Sequence, residues 1–251
     1  MSCEKSIASA SFNTKLAIGI PVFIMFLLAL FEPSQLDLWL ADLMYEPGAG
    51  FIGAKSFFLE DILHDRVKEA VIGIVVILFT GLLASFIFPS TIKIERRRWC
   101  YVVVSMVIAS SLITPLKRLT EVHCPWSLSR YGGAETYSPV MEKRAPAVEK
   151  SGQCWPAGHA SSGFILFALF FALRDTRPRA ARVMLATAIT LGITLSVSRM
   201  LQGAHFLSHN LWTALIDWLV CATLYRLMLY RPATGECRQM TVSVTMDTQQ
   251  I

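Results

Sequence analysis

Residues 70–89 read AVIGIVVILFTGLLASFIFP, a stretch without one charged side chain. A helix needs about 20 apolar residues to cross a bilayer, and about 17 at the least. This stretch therefore predicts a membrane-spanning helix. Working outward, apolar runs at 16–31, 100–116, 157–173, 181–197 and 206–229 bring the candidates to six. In lipid a helix satisfies every backbone group within its own segment, so each run is expected to be helical. The run at 157–173 is the least apolar, because it opens with His159, Ser161 and Ser162. The first run predicts a retained span, since no small-residue cleavage site follows at Phe31-Glu32-Pro33.

Composition agrees. The chain has 251 residues, 54% of them hydrophobic and 16% charged, with a mean hydropathy of +0.50. A soluble domain carries about 25% charge. Disorder, a collagen repeat, a coiled coil and a small disulfide scaffold are excluded on the same numbers. The net charge of +5 does not indicate nucleic acid, because the basic residues lie scattered between apolar runs and form no stripe.

Their scatter sets an orientation instead. With six spans, one side holds Lys5, Lys15, Lys93, Arg96–Arg98, Arg174, Arg177, Arg179, Arg182, Arg226, Arg231 and Arg238 in short segments. The other side holds 32–69, 117–156 and a turn near 198–205, with ten basic residues against twelve acidic. The positive-inside rule makes the first side cytoplasmic, with both termini, and the second outward-facing. The expected fold is an all-α polytopic membrane protein. Residues 1–231 form one embedded domain, and 232–251 form a polar cytoplasmic tail. Within 32–69, Leu36, Trp39, Leu40, Leu43 and Met44 recur at helical spacing. That pattern fits an amphipathic helix in the outer interface or one packed on the bundle.

The five histidines are His64, His123, His159, His205 and His209. Four of them fall in the outer 117–156 segment or at the outer ends of the spans that follow it. Pro156-Ala157-Gly158-His159 opens a span with small residues and free backbone amides, a ready anion site. Lys117 ends the third span on that side, Ser198-Arg199 closes the fifth, and His205 and His209 open the sixth. Two cations and two imidazoles at one membrane surface suit the binding and cleavage of a phosphate ester.

These residues resemble the type-2 phosphatidic acid phosphatases, or lipid phosphate phosphatases. The family motifs are Lys-x6-Arg-Pro, Pro-Ser-Gly-His and Ser-Arg-x5-His-x3-Asp. Here Lys117 is followed after six residues by Cys124-Pro125, the second motif reads Pro156-Ala157-Gly158-His159, and the third reads Ser198-Arg199-x5-His205-x3-His209. The resemblance covers roughly residues 100–220 and implies a metal-independent enzyme without cofactor. It makes His205 the nucleophile of a phosphohistidine intermediate and His159 the general acid. Lys117, Arg199 and the Gly158 amide would hold the phosphoryl oxygens. The implied substrate is a membrane phospholipid, an isoprenoid pyrophosphate or lipid A. Three positions depart from the family: Cys124 for Arg, Ala157 for Ser and His209 for Asp. His209 would orient His205 in place of the Asp, and Arg118 or Arg130 would supply the missing clamp. Asp217 lies about 18 Å deeper along the helix than His205 and is no substitute.

Other readings of the same residues are a lipid phosphotransferase, a non-catalytic lipid-phosphate-binding relative and a lipid carrier. Few polar residues thread the spans, which opposes a carrier. His205 and His209, spaced i and i+4, could also bind a metal with His159 and His123, but Lys117 and Arg199 would repel a cation. Lastly, Cys124 and Cys154 are the two cysteines on the outer side, which in a bacterial inner membrane faces an oxidising compartment. A disulfide between them would close a loop of about 30 residues, worth about 3–4 kcal/mol. It would hold 125–153 as a lid over the site.

Overall fold

The computed structural model of the protein describes residues 12–60, 66–88, 95–142 and 152–232. His64, Cys3, Cys237 and the expected polar tail beyond Pro232 lie outside the described residues. Eight α-helices are described: α1 (Ile20–Leu30), α2 (Ser34–Leu43), α3 (Val67–Ile87), α4 (Arg96–Thr120), α5 (Gly158–Phe164), α6 (Phe167–Leu173), α7 (Pro178–Leu201) and α8 (Leu207–Met228). The described strands are the two-residue pair β1 (Tyr45–Glu46) and β2 (Gly50–Phe51), joined antiparallel. The chain is thus an all-α protein of the membrane type.

Among the described residues four helices are long and apolar enough to cross a membrane, beginning at Glu69, Arg96, Pro178 and Leu207. Lys15–Leu30 and Ser34–Leu43 add a fifth if taken together, bent by 84° at their junction. Pro33 explains the break, because proline drives the residue before it out of the helical region. The sequence counts 157–173 as a full span. In the structure Gly158–Leu173 is a shorter apolar helix, interrupted where Ile165 and Leu166 turn between α5 and α6. The polar opening noted above shortens its apolar length.

The surface is apolar where a soluble protein would be polar. Phe26 is 60% exposed, Ile77 69% and Leu227 72%, whereas Asp37 and Asp217 are buried. Exposed apolar surface of that extent marks a membrane or partner contact. The helices touch through small residues, as membrane helices do. A side chain on Gly163 would run into the backbone of Gly192, so α5 and α7 cross in direct backbone contact. Tyr101 on α4 donates from its hydroxyl to the Cys221 carbonyl of α8 at 2.9 Å.

The basic residues Arg96–Arg98, Arg174, Arg177 and Arg226 lie at one end of this bundle, at the start of α4, the end of α6 and the end of α8. The histidine-bearing segments lie at the other. There the loops form a cap. Ala41 of α2, Phe51 of β2, Leu128, Tyr131 and Phe206 share one buried cluster. Gly133 lets this cap close, because any side chain on it would collide with the Ser127 backbone.

Helix α2 shows which way its amphipathic pattern points. Asp37 and Ala41 face the protein, while Leu36, Trp39 and Leu43 are exposed. The polar stripe docks on the bundle and the apolar stripe faces away from it.

Candidate active site

Lys117 stands in the last turn of α4, which ends at Glu121 in the left-handed region (φ 50°). His159 is the second residue of α5. Arg199 is in the last turn of α7, His205 lies in the tight connection to α8, and His209 is in the first turn of α8. Tertiary packing brings all five to one place. Burial holds the His205 imidazole neutral, well below its ordinary pKa, and Lys117, His209, His159 and Arg199 add to that in this order. A neutral imidazole retains the lone pair that a nucleophile needs.

Each group is held by neighbours. Arg199 is buried, donates from Nη1 to Gln202 Oε1 at 2.6 Å, and stacks 5.8 Å from the Trp126 ring. Gln202 in turn donates to Glu60 Oε2 at 3.2 Å. Gly158 lies against Lys117: a methyl group on it would stand 3.5 Å from Nζ. The Ala157 amide donates to the Thr213 hydroxyl at 2.8 Å, which itself reaches the His209 carbonyl at 2.9 Å. The segment before α5 is thereby pinned to α8. Beyond Lys117 and His159 an apolar groove of about 450 Å³ runs between α3, α4 and α5, past Val75, Met106, Val107 and Ile113.

Cys124 and Cys154 form a disulfide, with Cα atoms 5.1 Å apart. It joins the end of α4 to the segment before α5, as expected from the sequence. The bond also stands beside His205. Cys154 Sγ is 3.5 Å from His205 Nδ1, and the His205 and His209 ring centres are 6.1 Å apart. Cys154 Sγ therefore lies beside Nδ1, on the imidazole that His209 is expected to orient.

The other expected residues are more remote. Arg130 makes a two-pronged pair with Asp42 of α2, at 2.8 and 2.6 Å, so its guanidinium braces the cap. Arg118, next to Lys117, is exposed. His123 lies 3.4 Å from Glu135.

Asp37 was missed in the sequence. Its carboxylate accepts from the Ser208 amide at 2.9 Å and from the Ser208 hydroxyl, capping the first turn of α8 between the two histidines. Only the pairing of Asp37 with a residue 171 positions away gives it this role, so no local signal could have shown it. Replacing Asp37 with Ala leaves a buried N–H without its acceptor, and a loss of about 1–3 kcal/mol is expected. A fall in the thermal unfolding midpoint of the detergent-solubilised protein, with an undiminished midpoint as the contrary result, checks it.

No curated protein and no solved structure matched this chain. A family model described as the PAP2 superfamily matches residues 98–233, a range that runs from the start of α4 past the end of α8 and takes in Lys117, His159, Arg199, His205 and His209. With the match covering more than half of the chain, the protein belongs to the PAP2 superfamily.

Proposed function

We propose that this protein is an integral membrane phosphatase that hydrolyses a lipid phosphate or lipid pyrophosphate through a phosphohistidine on His205. The observation that carries the reading is the convergence of Lys117, His159, Arg199 and His209 on one buried His205. The roles follow from chemistry. Lys117, Arg199 and the Gly158 amide bind the phosphoryl oxygens and offset their charge. With Nδ1 turned to the disulfide, Nε2 is the nitrogen that attacks phosphorus. The bond to the leaving oxygen breaks, His159 protonates that oxygen, and water then cleaves the P–N bond to free phosphate. His209 supports the first turn of α8, and no metal takes part. The apolar groove beside Lys117 and His159 suits the hydrocarbon chain of a lipid.

The proposed topology has six crossings, with Lys15–Leu30 and Gly158–Leu173 as the two short ones. The arginine-rich end then faces the cytoplasm with both termini. The site faces outward from a bacterial inner membrane, beside the lipid head groups. Residues 1–231 act as one embedded domain.

Purified protein assayed in detergent with a metal chelator, on phosphatidic acid, an isoprenoid pyrophosphate and a soluble ester, tests this reading. Release of phosphate from at least one of the lipids supports it; release from the soluble ester alone defeats it. Arg199→Ala removes a two-pronged donor to the phosphoryl oxygens, and kcat/KM is expected to fall about 10²–10³-fold. A change under threefold would take Arg199 out of the site.

A further inference from the structure

We propose that, when its disulfide is reduced, this chain binds one thiophilic divalent cation, zinc foremost, through Cys124, Cys154, His205 and His209. Among the described residues Cys154, His205 and His209 form a group whose ligating atoms lie within 4.8 Å of one another, all three buried. Cys124 Sγ is bonded to Cys154 and so belongs to the same cluster. Two thiolates and two imidazoles are the donor set of a closed, four-coordinate zinc site.

Distances already fit. Zinc bonds of about 2.3 Å to sulfur and 2.0–2.1 Å to nitrogen, at a tetrahedral angle, hold the two ligand atoms about 3.6 Å apart. Cys154 Sγ and His205 Nδ1 are 3.5 Å apart. His209 needs a small ring movement, and the two sulfurs must part once their bond is gone. The four ligands come from three segments (the end of α4, the approach to α5 and the start of α8 with the turn before it) that the bundle already holds together.

The nearby cations do not forbid the ion. Lys117 and Arg199 would oppose a bare divalent charge, but two thiolates cancel it, and the centre they face is neutral.

Reduction needs a donor, and a dithiol supplies it. Its first thiolate attacks Cys124, the half-buried partner, and the electron pair of the broken S–S bond leaves on Cys154. The second thiol of the reductant resolves the mixed disulfide and departs as a cyclic disulfide, so both cysteines are thiols. The ion then displaces one proton from each.

The consequence for catalysis rests on the function proposed above. A metal on Nδ1 forces the remaining imidazole proton onto Nε2, which then has no lone pair to attack phosphorus. Zinc would thus silence the reduced protein and leave the oxidised protein untouched.

The test uses the full chain in detergent, reduced by a dithiol that is then removed under nitrogen, and titrated with cobalt(II) as the spectroscopic stand-in for zinc. Uptake of one cobalt per chain is expected, with thiolate-to-cobalt charge-transfer absorption and the visible bands of a tetrahedral ion, all abolished by zinc. Unreduced protein should show neither. Cys124→Ser should lose about half of the charge-transfer intensity, and His209→Ala should lose the tetrahedral bands. No uptake on reduction overturns the proposal, and so does an unaltered spectrum in both variants, which would place the ion on other thiols such as Cys100 or Cys221. Should neither variant fold, X-ray absorption of zinc-loaded wild type decides: a shell of two sulfurs and two nitrogens supports the site, and any shell with fewer than two sulfurs refutes it. Phosphate release adds a separate arm. Stoichiometric zinc should abolish it in reduced protein only, with recovery on chelation. Cobalt bands in a protein that hydrolyses nothing in either redox state would uphold the metal site and remove the phosphatase reading.

Discussion

Replacing His205 with Ala is expected to lower turnover of a lipid phosphate by several orders of magnitude, the usual cost of removing a nucleophile. The size of the effect follows from the proposed chemistry. Without Nε2 no P–N bond forms, and the remaining cations can only bind the ester. His205 is buried and lies beside Cys154 Sγ and Ala204, so truncation to Ala leaves a small cavity in a well-supported turn. Far-ultraviolet circular dichroism and an unfolding scan should therefore match wild type to within a modest loss. Initial rates on phosphatidic acid and on an isoprenoid pyrophosphate give the measurement. Retention of more than about a tenth of the wild-type rate would rule out His205 as the nucleophile.

Replacing His159 with Ala should split two kinds of substrate. A general acid contributes about 10²–10⁴-fold when the leaving oxygen needs a proton in the transition state. A lipid alcohol is a poor leaving group and should show that full loss. A nitrophenolate leaves without protonation, so hydrolysis of a nitrophenyl phosphate should fall by tenfold or less. The contrast, read as the ratio of the two kcat/KM losses, is what assigns His159 its role. Equal losses on both substrates would make it a binding or structural residue instead.

What could be read from the sequence depends on whether the signal is local. The charge-free run that opens at Ala70 falls in α3 as far as Ile87, because hydrocarbon length alone makes a span recognisable. The three motifs marked the family, since each keeps its spacing within one short stretch at a helix end or in the connection between two helices. The Cys124–Cys154 bond was also legible, by counting the thiols on one side of the proposed membrane. Other features depend on tertiary contacts. Asp37 sits between apolar neighbours and reads as the solvent side of an amphipathic helix, yet it is buried and caps α8. Arg130 reads as a spare cation near the site, and only the approach of α2 commits it to Asp42. The turn at Ile165 and Leu166 leaves no mark in composition, and it follows directly on the stretch of α5 that lies against the α7 backbone at Gly163 and Gly192. Thr213 and Gln202 support the site without belonging to any motif.

The central claim is that phosphate passes through His205, and a trapping measurement tests it most directly. Protein mixed with a phosphatidic acid labelled in its phosphate, then quenched in alkali where a nitrogen–phosphorus bond survives, should carry the label on the peptide containing His205. The label should vanish on acid treatment, chase away with unlabelled lipid, and be missing from His205→Ala. Label on another residue, or sustained lipid hydrolysis with no labelled protein at any time of quenching, would contradict the account.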